Sequence, residues 1–248
     1  MKTTRTIVLL VLLGTVGMLL AGCGGRTYLI GRSEQIQIGQ EASQEFEQTA
    51  RVDRTSDRAR WLANIGQRVA AAAQPPEYPY EFVLVREDVN NAFAYPGGPI
   101  YFYEGLIDSL GADEHQVAWV CGHELTHVRN EHAAKRIESA LGAQLLIEWL
   151  IGGQTTRNIA GAVTNIAMQK YSRDDEYEAD TEGVRWAAAA GYDPTAALAV
   201  LATFSELQGQ DPSDFEILFY SHPGNTDRTD NVRDYLRDNN LTGRYLGR

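Results

Sequence analysis

Hydrophobic positions along this chain recur mostly at helical spacing. Ile36, Gly39, Ala42, Phe46 and Ala50 fall near one face, so a helix is predicted from Ser33, which can cap it, to about Ala50. Trp61, Leu62, Ile65, Val69 and Ala72 form the stripe of a second helix over Asp57–Ala73, ended by Pro75-Pro76. Glu81 to Val85 reads as a strand. Phe93 to Tyr103 holds two more extended pieces around Pro96-Gly97-Gly98-Pro99, residues that favour a tight reversal or bulge. From Asp113 onward the pattern is helical. One long helix is predicted to about Ile137, with Val117, Ala118, Val120, Leu125 and Val128 inside. Further helices follow over Ala140–Ile151, Asn158 to about Tyr171, Arg173–Ala190, Pro194 to about Leu207, and Asp227–Asp238. The expected class is α+β, predominantly helical, with a small sheet between residues 80 and 104. Leu141–Ile151 is apolar, but Glu148 interrupts it and it is too short to span a bilayer, so it reads as core or as a lid.

The first residues follow a different logic. Lys2 and Arg5 precede an uncharged stretch, Ile7 to Ala21, too short for a comfortable membrane span of about 20 residues. It ends in Leu20-Ala21-Gly22-Cys23, which resembles the bacterial lipoprotein processing box. The resemblance implies that residues 1–22 are a signal peptide and that Cys23 is lipidated and becomes the mature N-terminus. Acyl chains contribute ~0.8 kcal/mol per buried CH₂, enough in combination for a stable anchor. Gly24 in place of Asp leans, by resemblance to lipoprotein sorting, toward an outer-membrane anchor facing the periplasm. Residues 23–32 form a spacer, 33–240 a single domain, and 241–248 a tail.

Composition narrows the function. The 248 residues carry 22 Lys+Arg against 33 Asp+Glu, a net charge of −11, which argues against nucleic-acid binding. Two Cys exclude a disulfide scaffold, and Cys121 is expected to be buried.

His123-Glu124-Leu125-Thr126-His127 is an H-E-x-x-H motif. On a helix at about 100° per residue, positions i and i+4 nearly eclipse, so both imidazoles can reach one Zn²⁺. Glu124 sits about 100° round, beside the ion, where it can take a proton from water. A catalytic zinc needs a third protein ligand and an open position. A metzincin would place Gly and His where this chain has Asn130 and Ala133. On a continuous helix, His132, Cys121 and His115 all lie off the ligand face. Glu176 is the better candidate, with Asp180 four residues on to accept a hydrogen bond from a ligand His; the residues alone leave Glu178 and Glu182 open.

Four blocks together resemble the gluzincin metallopeptidase family M48, which holds the CAAX prenyl endopeptidase, heat-shock membrane endopeptidases and periplasmic lipoprotein peptidases. They are Asn91-Ala92-Phe93-Ala94-Tyr95-Pro96-Gly97-Gly98, His123 to His127, Glu176-Tyr177-Glu178-Ala179-Asp180, and Ser221-His222-Pro223 followed by Arg228. The resemblance implies a zincin-like domain with a single Zn²⁺ on His123, His127 and Glu176. It further implies Asp180 behind the ligands, Glu124 as catalytic base, and His222 or Arg228 as donors to the oxyanion or substrate backbone. Asn91, Ala92, Phe93 and Ala94 would hold an extended peptide by strand addition. No transmembrane helix is predicted, so the chain resembles the lipid-anchored branch and prenylated substrates are not implied. The expectation is a zinc endopeptidase acting on unfolded envelope polypeptides, touching the membrane through its lipid alone. The alternatives are a tethered assembly factor with a latent metal site and a non-peptidase zinc hydrolase.

Overall fold

The computed structural model describes residues 30–73, 78–140, 163–166, 169–208, 222 and 226–246. Residues 1–29, which include the expected signal peptide and Cys23, Pro75-Pro76, residues 141–151, half of the 158–171 stretch, Ser221 and Pro223 lie outside the described residues. The elements are α1 (Arg32–Phe46), β1 (Val52–Asp53), α2 (Asp57–Ala72), β2 (Glu81–Val85), β3 (Ala92–Ala94), β4 (Pro99–Tyr103), α3 (Glu104–Ser109), α4 (Glu114–Arg129), α5 (Arg173–Ala189), α6 (Ala196–Gln208) and α7 (Thr226–Asp238). The class is α+β and mostly helical, as the periodicity predicts.

Helix starts follow capping chemistry. Ser56 accepts from the Ala59 N–H, and Ser172 closes a capping box with Asp175. Asp113 accepts from the N–H groups of His115 and Gln116 at 2.9 and 3.3 Å. Ser33 does not cap: α1 begins at Arg32 with Gly31 before it, and the Ser33 hydroxyl turns to Glu34. The helix expected to reach Ala50 stops at Phe46, because the chain must turn into β1. The long helix expected over 113–137 is broken. α4 ends at Arg129, Glu131 takes a positive φ of 59°, and helix resumes over 132–140.

The sheet has the order β1-β2-β4-β3. β2 and β4 run parallel, while β1 and β3 pair antiparallel at the two edges. Gly97 and Gly98, both at positive φ, make the reversal between β3 and β4. One sheet face carries Leu84, Ala92, Ala94, Ile100 and Phe102 toward α2, α4, α5 and α6. The other packs Val83, Phe93, Tyr95, Tyr101 and Tyr103 with Ile38 and Ala42 of α1. α4 is buried on every side from Gln116 to Val128, the signature of a central helix. Cys121 on it is fully buried.

α4 and α5 cross where neither carries a side chain. A Cβ on Gly122 would stand 2.9 Å from the Gly183 carbonyl oxygen, and one on Gly183 would stand 3.0 Å from the His123 nitrogen. The tail is tied down as well: the Tyr245 hydroxyl donates to Asp113 at 2.6 Å, and its ring packs on Ala196 and Ala199.

Two predictions follow from this packing. In an open helix, Gly→Ala gains up to about 1 kcal/mol. Gly183→Ala is expected to do the opposite and cost about 1–3 kcal/mol, because backbone atoms fill the space; urea unfolding reads the sign. The second concerns the α4 cap. Burial opposes ionisation of Asp113, but Tyr245, the two amides and Arg244 outweigh it, holding the folded pKa below the usual carboxylate value. Asp113→Ala should therefore cost about 1 kcal/mol at neutral pH. That difference from the parent should shrink below about pH 3.9 and vanish beneath the lower folded pKa, as unfolding at each pH would report.

Candidate metal centre

α4 and α5 meet at the H-E-x-x-H face. Donor atoms of His123, His127, Glu176 and His222 all lie within 4.8 Å of one another, and all four residues are buried. His123 Nε2 stands 3.1 Å from His127 Nε2 and 3.2 Å from His222 Nδ1. Glu176 Oε1 is 2.9 Å from His222 Nδ1 and 3.6 Å from His127 Nε2, and Oε2 is 3.8 Å from His123 Nε2. Nitrogens on a tetrahedral ion at ~2.0–2.1 Å are about 3.3 Å apart, so the His123 and His127 nitrogens at this spacing suit a divalent ion.

The supports come from α5 and α7. His123 Nδ1 lies 3.1 Å from Asp180 Oδ1, which leaves Nε2 for the cluster. Trp119 donates from its indole to the Asp180 carbonyl at 3.2 Å. Arg228 places Nη1 2.8 Å from Glu176 Oε2, and Nη2 and Nε at 2.6 and 2.8 Å from the Asp180 carboxylate. Both edges of the guanidinium are thus taken by α5 carboxylates, and the side chain is 2% exposed. Burial raises the Asp180 pKa, but Arg228 and then His123 overcome it and hold the carboxyl at about 2. Burial likewise opposes ionisation of Glu176, yet His222 and Arg228 keep its pKa below the ordinary value. For His222 burial favours the neutral form, while Glu176 and Glu124 prevail and raise its pKa. His127 goes the other way: burial, then the neighbouring histidines, push it well down.

Glu124 lies inside the cleft with His222 Nε2 at 3.3 Å from Oε1, and its buried Oε2 has no hydrogen-bond partner. Ala92, Leu106, Val120 and Phe204 line the narrow apolar space beside it. Asn91 is fully buried just before β3, its side-chain nitrogen and oxygen without hydrogen-bond partners. Ala92 and Ala94 face the helices, but Phe93 points to the opposite side of the sheet, stacked on Tyr101 at 5.2 Å. Any contact of Phe93 with a peptide is therefore through its main chain.

The match to the model of peptidase family M48 runs over residues 56–236. The chain belongs to that family. M48 relatives include the beta-barrel assembly-enhancing protease of Escherichia coli, 28% identical over 69% of this chain and 37% of the relative. A putative beta-barrel assembly-enhancing protease of Vibrio cholerae is 30% identical over 55% of this chain and 30% of its own length. The chain thus spans about a third of the length of these two relatives. Metalloprotease LoiP of Escherichia coli is 26% identical over 89% of this chain and 88% of its own. This M48 chain carries the residue set of a metalloendopeptidase.

His132 is not among the converging donors, as its position off the ligand face predicts, although the helix that carries it is not continuous with α4. The break at Asn130–Glu131 brings His132 Nδ1 to 2.9 Å from His127 Nδ1. Tyr171, not singled out from sequence, stacks on His127 with centroids 3.7 Å apart. Asn130 after a basic last turn is a helix-end signal that could have exposed the first; nothing in the spacing reveals the second.

The Arg228 clamp is testable. Arg228→Met leaves two carboxylates buried without their shared cation, which should cost about 3–5 kcal/mol in the zinc-free protein. The urea midpoint reads the loss.

Proposed function

We propose that this M48 chain is a zinc-dependent endopeptidase of unfolded or misassembled cell-envelope polypeptides, tethered by lipid at Cys23 on the periplasmic side of the outer membrane. The observation that carries the catalytic part is the convergence of His123, His127 and Glu176 donors beside a buried Glu124 oxygen that lacks a partner. When bound by these residues, zinc supplies Lewis acidity, polarising the scissile carbonyl and acidifying the attacking water. Glu124 takes the proton of that water at Oε2 as its oxygen attacks the carbonyl carbon, then returns it to the departing amine as the C–N bond breaks. His222, next to Glu124 and inclined by its carboxylate neighbours to hold a proton, donates from Nε2 to the oxygen that gathers charge. Arg228 keeps Glu176 and Asp180 ionised and aimed. Asp180 holds the His123 tautomer.

Substrate engagement fits the edge position of β3. An extended peptide can pair with its main chain, which makes recognition weakly dependent on sequence and favours unfolded chains. The beta-barrel assembly-enhancing relatives point to outer-membrane strands as one such pool. No helix among the described residues is long and apolar enough to cross a membrane, in keeping with a lipid tether. One observation favours the latent-site alternative: His222 supplies a fourth buried donor, and so can fill the open coordination position.

Glu124→Gln separates these readings. It should lower cleavage of an unfolded protein about 10²–10⁴-fold while zinc content stays that of the parent. A variant that cleaves as fast as the parent overturns the mechanism. A parent that binds zinc, cleaves nothing and still supports envelope assembly favours the latent site.

A further inference from the structure

We propose that His132 is the positioning residue for His127: it accepts the Nδ1–H of that imidazole, so that His127 presents a bare Nε2 to the metal position. The inference rests on the zinc reading above and extends it to a residue outside the H-E-x-x-H motif. The two Nδ1 atoms are 2.9 Å apart, a distance that needs one proton between them. His127 Nε2 points into the donor cluster, 3.1 Å from His123 Nε2. A neutral imidazole whose Nε2 lone pair faces a metal carries its proton on Nδ1, so His127 must donate and His132 must accept. His132 then carries its own proton on Nε2. That nitrogen lies 3.1 Å from Glu178 Oε2 and 3.5 Å from Asp175 Oδ1, groups that only accept when ionised. The carboxylate end therefore sets the direction of every proton in the chain. Were that end a donor, the order would reverse and a proton would sit where the metal belongs.

Stacking alone does not achieve this. Tyr171 lies nearly parallel to the His127 ring, at 18°, and fixes its plane. A half-turn of the ring within that stack would exchange nitrogens for carbons at the same contact. The bond to His132 is what distinguishes the two orientations. His132 is fully buried, with both nitrogens engaged. The helix break that delivers it also aims it at α5, so that α5 supports both ligand imidazoles: His123 through Asp180, and His127 through His132 and Glu178.

The test is zinc affinity by chelator competition on the full chain, with the fold checked by circular dichroism. His132→Leu removes the acceptor and should raise the zinc dissociation constant 10–100-fold. His132→Asn places an amide oxygen near the lost Nδ1 and should recover most of that loss. A packing role would not separate the two variants. Leu binding zinc as tightly as the parent, or Asn binding no better than Leu, overturns the proposal. Should the Leu variant not fold, Asp175→Ala combined with Glu178→Lys removes both acceptors from the end of the chain and is expected to weaken zinc about tenfold; an unchanged constant overturns the proposal equally. A folded parent that binds no zinc overturns the zinc reading and this inference together, whereas a parent that binds zinc beside an unaffected Leu variant sinks the inference alone.

Discussion

The whole site depends on two helix backbones touching. Gly122 and Gly183 allow α4 and α5 to approach until main-chain atoms are in contact, and the donors stand one and five residues along from that point on α4 and seven residues before it on α5. Side chains as short as His and Glu reach a common point only if their helices lie this close. With any larger residue at the crossing, His123 and Glu176 would be separated by the width of that side chain, and the cluster would open. The glycines therefore set the spacing of the donor cluster.

Closeness creates an electrostatic problem, and α7 answers it. Glu176 and Asp180 sit together on one buried helix face, where two carboxylates would favour taking up protons. A protonated Glu176 is a poor ligand, and a protonated Asp180 is a poor acceptor for His123. One guanidinium, bridging both, reverses that tendency. Arg228 lies far along the chain from either carboxylate, so the last helix of the domain completes the chemistry of the middle ones.

How much of this was legible beforehand follows from which contacts are local. The i, i+4 pairs His123/His127 and Glu176/Asp180 are properties of single helices, and spacing places them on shared faces. The helical stripes and the Pro-Gly-Gly-Pro reversal were equally local. β1 and α3 were not foreseen, being too short to display a period. The sheet order, with β4 inserted between β2 and β3, depends on pairings that no short window contains. The Gly122–Gly183 contact is invisible because each glycine makes sense only against the other. The contact of His132 with His127 was hidden for a different reason: a single positive φ at Glu131 overrode an otherwise continuous helical pattern, and one left-handed residue rotates all that follows. The Arg228 clamp was reachable as a family resemblance to its position, but its two carboxylate partners came only from the fold.

The alternation on β3 has an arithmetic consequence. Ala92 and Ala94 look toward the helices, and Phe93 is sunk among aromatic rings on the reverse side. A guest strand zipped onto this edge must share the pleat, so its odd-numbered side chains meet one surface and its even-numbered ones the other. Sliding by a single residue would swap the two sets wholesale. A strand seated there would keep its facing only in steps of two, a parity imprinted by Ala92, Phe93 and Ala94.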